Sequence, residues 1–371
     1  MVKRPEVVFS GMRPTGRLHL GNYFGALRNW VKLQSEYTCY FSVADWHMLT
    51  TGHDDTTQLQ ENTREMVLDW LAAGVDPEKA VVFRQSDVAE HAELALLLGM
   101  VTPLNSLENN PTWKEQLQEL AKTKLSLAVV TTHHQGVVSK GPENLQTAIA
   151  EKELHARQQE LRTYGFLGYP VLQAADILLY HGTKVPVGQD QVPHVELSRE
   201  IARKFNHHFG PVFEEPQPLL TETPKVPGLD GRKMSKSYGN TLDIYETEKA
   251  LEKKCKGAYT DPNRKAATDP GHPLPCAENP PGCSVYALHK LYASEAFYAK
   301  RGDECRAGGL GCGDCKKDLL GEMAGPFAAF RERRESFTLA QVDQVLAAGA
   351  AKARAVAQKT MAEVRAAVRL R

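Results

Sequence analysis

The first two hundred residues of this chain alternate strand-like and helix-like patterns, and this alternation limits the possible folds more than any other feature. Short apolar runs at Val7-Val8-Phe9, Thr38 to Val43 and Val81-Val82-Phe83 predict strands. Amphipathic stretches from Thr57 to Leu71 and from Val88 to Leu98 predict helices. Because strands that alternate with helices form βαβ units, we expect an α/β domain with a parallel sheet.

A glycine-punctuated turn follows the first strand, in the run Pro14-Thr15-Gly16-Arg17-Leu18-His19-Leu20-Gly21-Asn22. A helical pattern comes next, with an apolar face formed by Tyr23, Phe24, Leu27, Trp30 and Val31. A strand, a tight turn and a helix N-terminus together form the place where Rossmann-like sheets bind phosphates. His19 can donate to a phosphate oxygen without a strong permanent charge, and Gly21 leaves room for a flat base. The turn therefore predicts a nucleotide site.

The composition is that of a globular protein with no membrane span. The chain has 371 residues, 42% hydrophobic and 24% charged, which allows roughly two to three domains. It has no apolar run of about 18 residues and no secretory pattern after Met1, so we expect a cytoplasmic protein. The 45 basic residues balance 45 acidic ones, which gives no general sign of a polyanionic partner.

The segment from Phe327 onward is locally basic, with nine Lys and Arg residues against four acidic ones. The basic residues are Arg331, Arg333, Arg334, Lys352, Arg354, Lys359, Arg365, Arg369 and Arg371. A basic helical tail is compatible with RNA contact. A solvated helix face explains the same pattern and is the interpretation that charge alone favours.

The rest of the chain predicts a second, helical part. Residues 104–167 are polar and helical and indicate an insertion between strands, whereas Lys184-Val185-Pro186-Val187 predicts a short buried strand. Ser86 and Asp87 stand where they could cap the helix from Val88. We place a domain boundary near residue 240, with a Rossmann-like domain at 1–240 and a helical domain at 241–371.

A lysine-rich stretch, Lys233-Met234-Ser235-Lys236-Ser237, lies more than two hundred residues after the turn. Lys233 and Lys236 can reach the β- and γ-phosphates of ATP, and nearby glycines suit a mobile lid. Each motif alone has a plain structural explanation, a helix cap for His19 and a solvated loop for the lysines. Their joint occurrence predicts a site that activates a carboxylic acid with ATP.

These motifs carry a resemblance to a known family. His19-Leu20-Gly21-Asn22 resembles the HIGH motif, and residues 233–237 match the KMSKS motif, of class I aminoacyl-tRNA synthetases. Asn22 replaces the second histidine of HIGH, a variant that is common in the tryptophanyl and tyrosyl branch. Residues 169–178 and 185–194 resemble the tryptophanyl-tRNA synthetase family, and the resemblance extends over essentially the whole chain.

The resemblance implies roles for individual residues. Catalytic roles fall to His19, Asn22, Lys233 and Lys236. ATP contacts fall to Arg13, Pro14, Thr15, Gly21, Asn22, Gly188, Gln189, Asp190, Val226, Lys233, Met234, Ser235, Lys236 and Ser237. Tryptophan contacts fall to Phe9, His47, Tyr169, Asp176 and Gln191. Arg13 departs from the family, which usually has glutamine at this position.

Asp176 is the residue implied to accept the indole N–H of tryptophan. An indole N–H is a pure donor, so a buried pocket needs an acceptor such as a carboxylate. A pocket built around that bond rejects phenylalanine, because the acceptor would be left unpaired. Tyrosine is harder to exclude, since its hydroxyl also donates.

The implied activity is activation of L-tryptophan by ATP with Mg²⁺, followed by transfer to tRNA(Trp) by a homodimer. Tyrosyl-tRNA synthetase is the nearest alternative. A simpler nucleotidyltransferase and a paralogue that binds tryptophan or RNA without charging are further alternatives. The paralogue would be expected to lack His19, Lys233 or Lys236, and all three are present.

Four of the seven cysteines have a spacing typical of a metal centre. Cys283, Cys305, Cys312 and Cys315 form C-x21-C-x6-C-x2-C. Four thiolates suit a structural zinc or an iron–sulfur cluster, and the spacing leaves both open. Residues 305–317 resemble a subset of tryptophanyl-tRNA synthetases that bind a [4Fe–4S] cluster near the anticodon-recognition region, which implies iron. Cys255 and Cys276 are left over, and Cys276 is a competing first ligand.

Overall fold

The computed structural model describes residues 6–121, 154–156, 158–220, 226–261, 264, 266, 269–271 and 283–370, without the side chains of Asp190 and Ser237. The middle of the insertion expected at 104–167 lies outside these residues, as does Cys276.

Five parallel strands form one sheet in the order β3-β2-β1-β4-β5. The strands are β1 (Val7–Met12), β2 (Thr38–Val43), β3 (Ala80–Arg84), β4 (Lys184–Val187) and β5 (Gln217–Leu220). The first four lie where the apolar runs predicted them, so the expectation of an α/β parallel sheet is confirmed. Because β1 is central, the turn that follows it opens at the middle of the sheet edge, where parallel α/β sheets bind ligands.

Helices flank the sheet on both faces and continue into a helical C-terminal region. They are α1 (Leu20–Asn22), α2 (Arg28–Leu33), α3 (Asp45–Gly52), α4 (Leu59–Ala73), α5 (Glu90–Val101), α6 (Leu104–Glu108), α7 (Tyr164–Leu178), α8 (Val192–Phe209), α9 (Glu248–Gly257), α10 (Ser284–Tyr292), α11 (Glu295–Arg306), α12 (Cys312–Glu335) and α13 (Leu339–Ala367). A π-helical stretch, Tyr23–Leu27, joins α1 to α2. Among the described helices none is long and apolar enough to cross a membrane.

The core lies on both faces of the sheet, as alternation along the strands requires. On one face Val8 and Phe41 pack with α2 and α4, where the Trp30 ring stacks on Phe41 at 4.5 Å between ring centroids. The same cluster includes Phe327 of α12, so the C-terminal helices share this core. On the other face Phe9 stacks on Tyr180, with ring centroids 5.6 Å apart.

Helix α13 lies directly against the backbone of β3. A Cβ atom on Gly349 would lie 1.8 Å from the carbonyl oxygen of Val82, so only glycine permits this approach. Arg365 adds a two-point contact from α13 to Glu93 on α5, with Nε to Oε1 at 2.7 Å. The C-terminal helix therefore helps to fix the position of β3.

The predicted cap of the helix after β3 is wrong. Helix α5 begins at Glu90, after Ala89, and no side chain caps it. Ser86 instead donates its backbone N–H to Asp45 Oδ1 at 3.0 Å, and its hydroxyl bonds to the same carboxylate. Asp45 takes these groups because β2 and β3 are neighbours and the residues that follow them meet at one edge.

Candidate active site

A cavity of about 410 Å³ opens at the carboxyl ends of the central strands. It brings together all five residues that the sequence assigned to the amino acid, and Arg13 and Gly188 with them. The predicted residues in its wall are Phe9, Arg13, His47, Tyr169, Asp176, Gly188 and Gln191. They come from β1 and the residue that follows it, from α3 and α7, and from the segment after β4, so the sheet edge and two helices assemble the pocket.

Asp176 is held in the cavity wall by donors from three other elements. Its Oδ2 lies 2.9 Å from His47 Nε2, and its Oδ1 accepts from Gln85 Nε2 at 2.7 Å and from His91 Nδ1 at 2.6 Å. Burial alone raises the pKa of Asp176, but the His91 charge interaction and the hydrogen bonds from His47 and His91 outweigh burial and lower the pKa to about 2. The buried carboxyl group is therefore an ionised acceptor at neutral pH.

Tyr169 and Arg13 both line the cavity. The Tyr169 hydroxyl is 3.1 Å from His194 Nε2, and burial raises the pKa of this hydroxyl, so it remains protonated. Arg13 Nη1 donates to Thr51 Oγ1 at 3.2 Å. Arginine at this position thus brings a cation to the rim of the pocket, where glutamine would be neutral.

The predicted phosphate turn places His19 at the start of α1. The backbone N–H of His19 donates to Asn22 Oδ1 at 3.2 Å, so Asn22 closes the turn. A Cβ atom on Gly21 would lie 2.8 Å from His19 Cε1 and Nδ1, so this glycine makes room for the imidazole. Burial first, and then the charge of Lys236, lower the pKa of His19 to about 4. His19 is therefore neutral at pH 7.

The His19 ring also has an unsatisfied polar atom. Its Nδ1 is buried and has no hydrogen-bond partner among the residues that the structure describes. Buried polar atoms in proteins are nearly always paired, so such an atom suits a group that meets a ligand.

The lysine-rich loop comes back to the turn across 221 residues of sequence. Lys236 Nζ donates to the carbonyl of Thr15 at 2.6 Å, and the backbone of His19 forms a bridge with Asp243. Lys233 is exposed at the loop surface, whereas Met234 is buried against the core. The structure therefore brings Lys236 and His19 together, as the sequence predicted.

Asn240 is the residue that shapes this loop, and sequence reasoning missed it. Its Oδ1 accepts from the N–H of Ser235 at 2.8 Å, and its Nδ2 donates to Asp230 Oδ1 at 2.7 Å and to the carbonyl of Lys233 at 3.1 Å. It is 3% exposed. Gly228 lies so close that a Cβ there would be 2.1 Å from Asn240 Nδ2.

A buried ion pair ties the turn to the C-terminal helices. Asp69 Oδ2 accepts from the N–H of Leu18 at 2.9 Å, and its Oδ1 accepts from Arg334 Nε at 2.7 Å. Burial raises the pKa of Asp69 to about 6, against the lowering effect of these hydrogen bonds. The basic tail therefore does more than face solvent, because Arg333, Arg334, Arg354 and Arg365 all bind residues of the sheet-bearing half.

Several predicted residues lie apart from the cavity wall. Among described residues, the turn from Pro14 to Asn22 and the loop with Val226 and residues 233–236 do not line it, and neither does Gln189. The side chains of Asp190 and Ser237 lie outside the described residues. Gln85 and His91 were missed, although both follow β3 at the sheet edge that carries the other site residues.

The four cysteines singled out by spacing line a second, small cavity of about 20 Å³. Cys305 Sγ lies 3.5 Å from Arg264 Nη1, and Cys315 Sγ lies 3.5 Å from His289 Nε2. Burial raises the pKa of the Cys283 thiol and raises that of Cys315 to about 12. Within the described part of the chain, no group of three or more His, Cys, Asp or Glu side chains is arranged to hold a metal ion.

Comparison with known proteins agrees with this geometry. The family model for class I tRNA synthetases (W and Y) matches residues 1–131 and 140–324. The tryptophan–tRNA ligase of Aquifex aeolicus is 46% identical over 98% of this chain and 99% of its own length. That of Thermotoga maritima is 45% identical over 98% of this chain and 99% of its own length.

A solved structure extends the comparison to three dimensions. Tryptophanyl-tRNA synthetase from Campylobacter jejuni, complexed with ADP and tryptophan, superposes with a TM-score of 0.76 at 31% identity. The superposition covers 98% of this chain and 100% of that one. With the family model matching most of the sequence and relatives matching nearly all of it, the chain belongs to the class I tryptophanyl-tRNA synthetases, the tryptophan–tRNA ligases.

Proposed function

We propose that the 410 Å³ cavity holds L-tryptophan, with ATP across the turn and the lysine-rich loop, and that the two react there to give tryptophanyl-adenylate. The tryptophan carboxylate attacks the α-phosphorus of ATP, and the bond from that phosphorus to the bridging oxygen of the β-phosphate breaks. Pyrophosphate leaves with Mg²⁺, which accompanies ATP as a substrate complex. A ribose hydroxyl of tRNA(Trp) then attacks the carbonyl carbon, and AMP leaves.

The observation that carries the amino-acid assignment is the ionised, buried Asp176 in the cavity wall. It supplies the acceptor that an indole N–H needs, while Tyr169 and Gln191 hold the ammonium and carboxylate groups. Phe9 and His47 complete the walls.

At the phosphate end, His19 donates to the triphosphate, and Lys236 neutralises charge on the departing pyrophosphate. Lys233 and Asn22 assist them, and Arg13 supplies a further cation. Contact of Lys236 with Thr15 supports this assignment, because it puts the loop beside the phosphate turn. Positioning and electrostatics supply most of the catalysis in such transfers, so no covalent nucleophile is needed.

The test is ATP–pyrophosphate exchange with tryptophan and with tyrosine, followed by aminoacylation of total tRNA with each of the twenty amino acids. Tryptophan is expected to support both reactions. Exchange with tyrosine alone would favour the tyrosyl alternative. Binding of tryptophan with no exchange would favour a paralogue that does not charge tRNA.

The helical region from residue 241 is proposed to recognise the anticodon of the tRNA. Lys352 and Lys359 are exposed on α13 and are available to phosphates, unlike the arginines that bind the sheet-bearing half. Because phosphate contacts make affinity fall with salt, Lys352→Ala with Lys359→Ala is expected to flatten the salt dependence of tRNA binding.

The cysteine group is proposed to hold a [4Fe–4S] cluster, with zinc as the alternative. Four thiols around one cavity support a metal centre, since Cys283, Cys305, Cys312 and Cys315 could each supply a thiolate. A cluster there would supply structural cross-links between α11, α12 and the segment before α10. Protein made anaerobically with iron is expected to be brown. Colourless protein with one zinc per chain would overturn the iron assignment.

A homodimer is proposed from exposed apolar side chains on packed elements. Leu96 and Met100 on α5 are 56% and 73% exposed, Leu104 on α6 is 59% exposed, and Tyr164 on α7 is 86% exposed. Exposed apolar side chains of this size suit contact with a second copy of the chain. Sedimentation velocity is expected to give a dimer, and Met100→Glu is expected to shift it toward monomer.

A further inference from the structure

A buried chain of polar groups lies behind Asp176. His91 is fully buried, and its two ring nitrogens contact different partners, Nδ1 with Asp176 Oδ1 at 2.6 Å and Nε2 with the Tyr180 hydroxyl at 2.8 Å. Tyr180 is 2% exposed. Neither His91 nor Tyr180 lines the cavity among the residues described, so neither touches the amino acid directly.

The hydrogen-bonding capacity of these groups fixes the direction of each proton. An ionised carboxylate only accepts, so His91 Nδ1 carries the hydrogen that faces Asp176. Burial and nearby negative charge raise the pKa of Tyr180 well above its usual value, so its hydroxyl keeps its proton. That hydroxyl lies 2.8 Å from His91 Nε2, so Tyr180 holds the side of the ring that faces away from Asp176.

The acceptor capacity of Asp176 is only partly used by the protein. A carboxylate has about four acceptor positions, two on each oxygen. Gln85 and His91 occupy both positions on Oδ1, and His47 occupies one on Oδ2. Counting the contacts made by the described residues, one acceptor position remains, on Oδ2 beside His47, and both residues line the cavity.

We propose that His91 is a positioning residue which, with Tyr180 behind it, commits Oδ1 of Asp176 to the protein and leaves Oδ2 as the single acceptor for the ring N–H of tryptophan. This inference rests on the proposed role of Asp176. His91 thereby determines how strongly the pocket prefers an amino acid whose ring carries an N–H over one of the same shape without it.

The test compares L-tryptophan with β-(3-benzothienyl)-L-alanine, in which sulfur replaces the ring N–H. The variants are His91→Leu, which removes both hydrogen bonds, His91→Asn, which keeps a donor toward Asp176, and Tyr180→Phe, which removes only the hydroxyl. The readout is kcat/KM in pyrophosphate exchange for each amino acid, expressed as a preference ratio.

The preference ratio of His91→Leu is expected to fall by about tenfold or more. Without the His91 hydrogen bond the Asp176 carboxylate can shift, and Oδ2 is no longer held in the position that accepts the ring N–H. His91→Asn should recover most of the ratio, and Tyr180→Phe should lower it by about threefold. Phe83→Leu is the matched control, since the Phe83 ring is fully buried and stacks on His91 at 5.9 Å without a hydrogen bond. This variant should lower kcat/KM for both amino acids by the same factor.

An unchanged ratio in His91→Leu, with both substrates reduced alike, would overturn the proposal and leave His91 as a core residue. If His91→Leu does not fold, an unchanged ratio in Tyr180→Phe overturns it instead. The proposed function fails separately, if the unmodified enzyme shows no exchange with tryptophan.

Discussion

The two ends of the proposed active site, one for the amino acid and one for the phosphates, are built differently. At the amino-acid end, Asp176 has three protein donors, and Gln85 and His91 behind it are fully buried. At the phosphate end, His19 Nδ1 lies buried with no partner among the described residues, and Lys233 is exposed. Selecting one side chain needs a rigid acceptor, whereas binding and releasing a triphosphate needs donors that change partners.

The largest effect is expected from Asp176→Asn, which changes the acceptor at the amino-acid end. An amide would turn an N–H toward one of the donors that now hold the carboxylate. We expect kcat/KM for tryptophan to fall by about a thousandfold, with the KM for ATP little changed. Pyrophosphate exchange measures both. Asp45→Asn, at a buried acid near the same edge, is the control, and equal losses in both variants would contradict the comparison.

Lys236→Met tests the phosphate end. Removing a cation from the departing pyrophosphate is expected to lower kcat by about a hundredfold while the dissociation constant for tryptophan is unchanged. Exchange kinetics and tryptophan fluorescence titration separate the two quantities. The control is Lys253→Met, at an exposed lysine on α9, which should leave both quantities unchanged. Weaker tryptophan binding in Lys236→Met would mean that the two ends are not independent.

Gly349→Ala tests the amino-acid end through a residue outside the cavity wall. The new methyl group would collide with the Val82 carbonyl, so we expect a loss of about 1–3 kcal/mol in the free energy of unfolding. Because β3 leads into Gln85, the KM for tryptophan should rise more than that for ATP. Urea denaturation and exchange kinetics measure these effects. Gly321→Ala, at an open position in α12, should instead stabilise by up to about 1 kcal/mol.

The smallest effect is a pH dependence of stability that comes from His19. The unfolded chain takes up this proton near pH 6.5 and the folded chain only near pH 4, so lowering the pH between these values favours unfolding. The urea midpoint of the unmodified protein should therefore fall more between pH 7 and pH 5 than that of His19→Gln. Parallel curves for the two proteins would show that His19 titrates normally in the folded state.

The features that could be predicted from the sequence are those decided by residues close to one another along the chain. The strands β1 to β4, the turn at His19 and the substrate family all followed from local patterns or from recognisable motifs. The cap at Ser86 was wrong because Asp45, at the start of α3, binds the backbone N–H and the hydroxyl of Ser86. Asn240 and His91 were missed because their importance comes from contacts that only the folded chain creates, up to 85 residues apart for His91 and Asp176.

Helix α13 also affects how this chain must be made. β3 is one of the two outer strands of the sheet, and an uncovered strand edge can pair with other chains. During synthesis β3 emerges more than two hundred residues before α13, so the growing chain carries an open sheet edge through most of translation. Helix α13 is thus synthesised late, and a chain truncated before Leu339 is left with an exposed edge on β3 that is prone to aggregation.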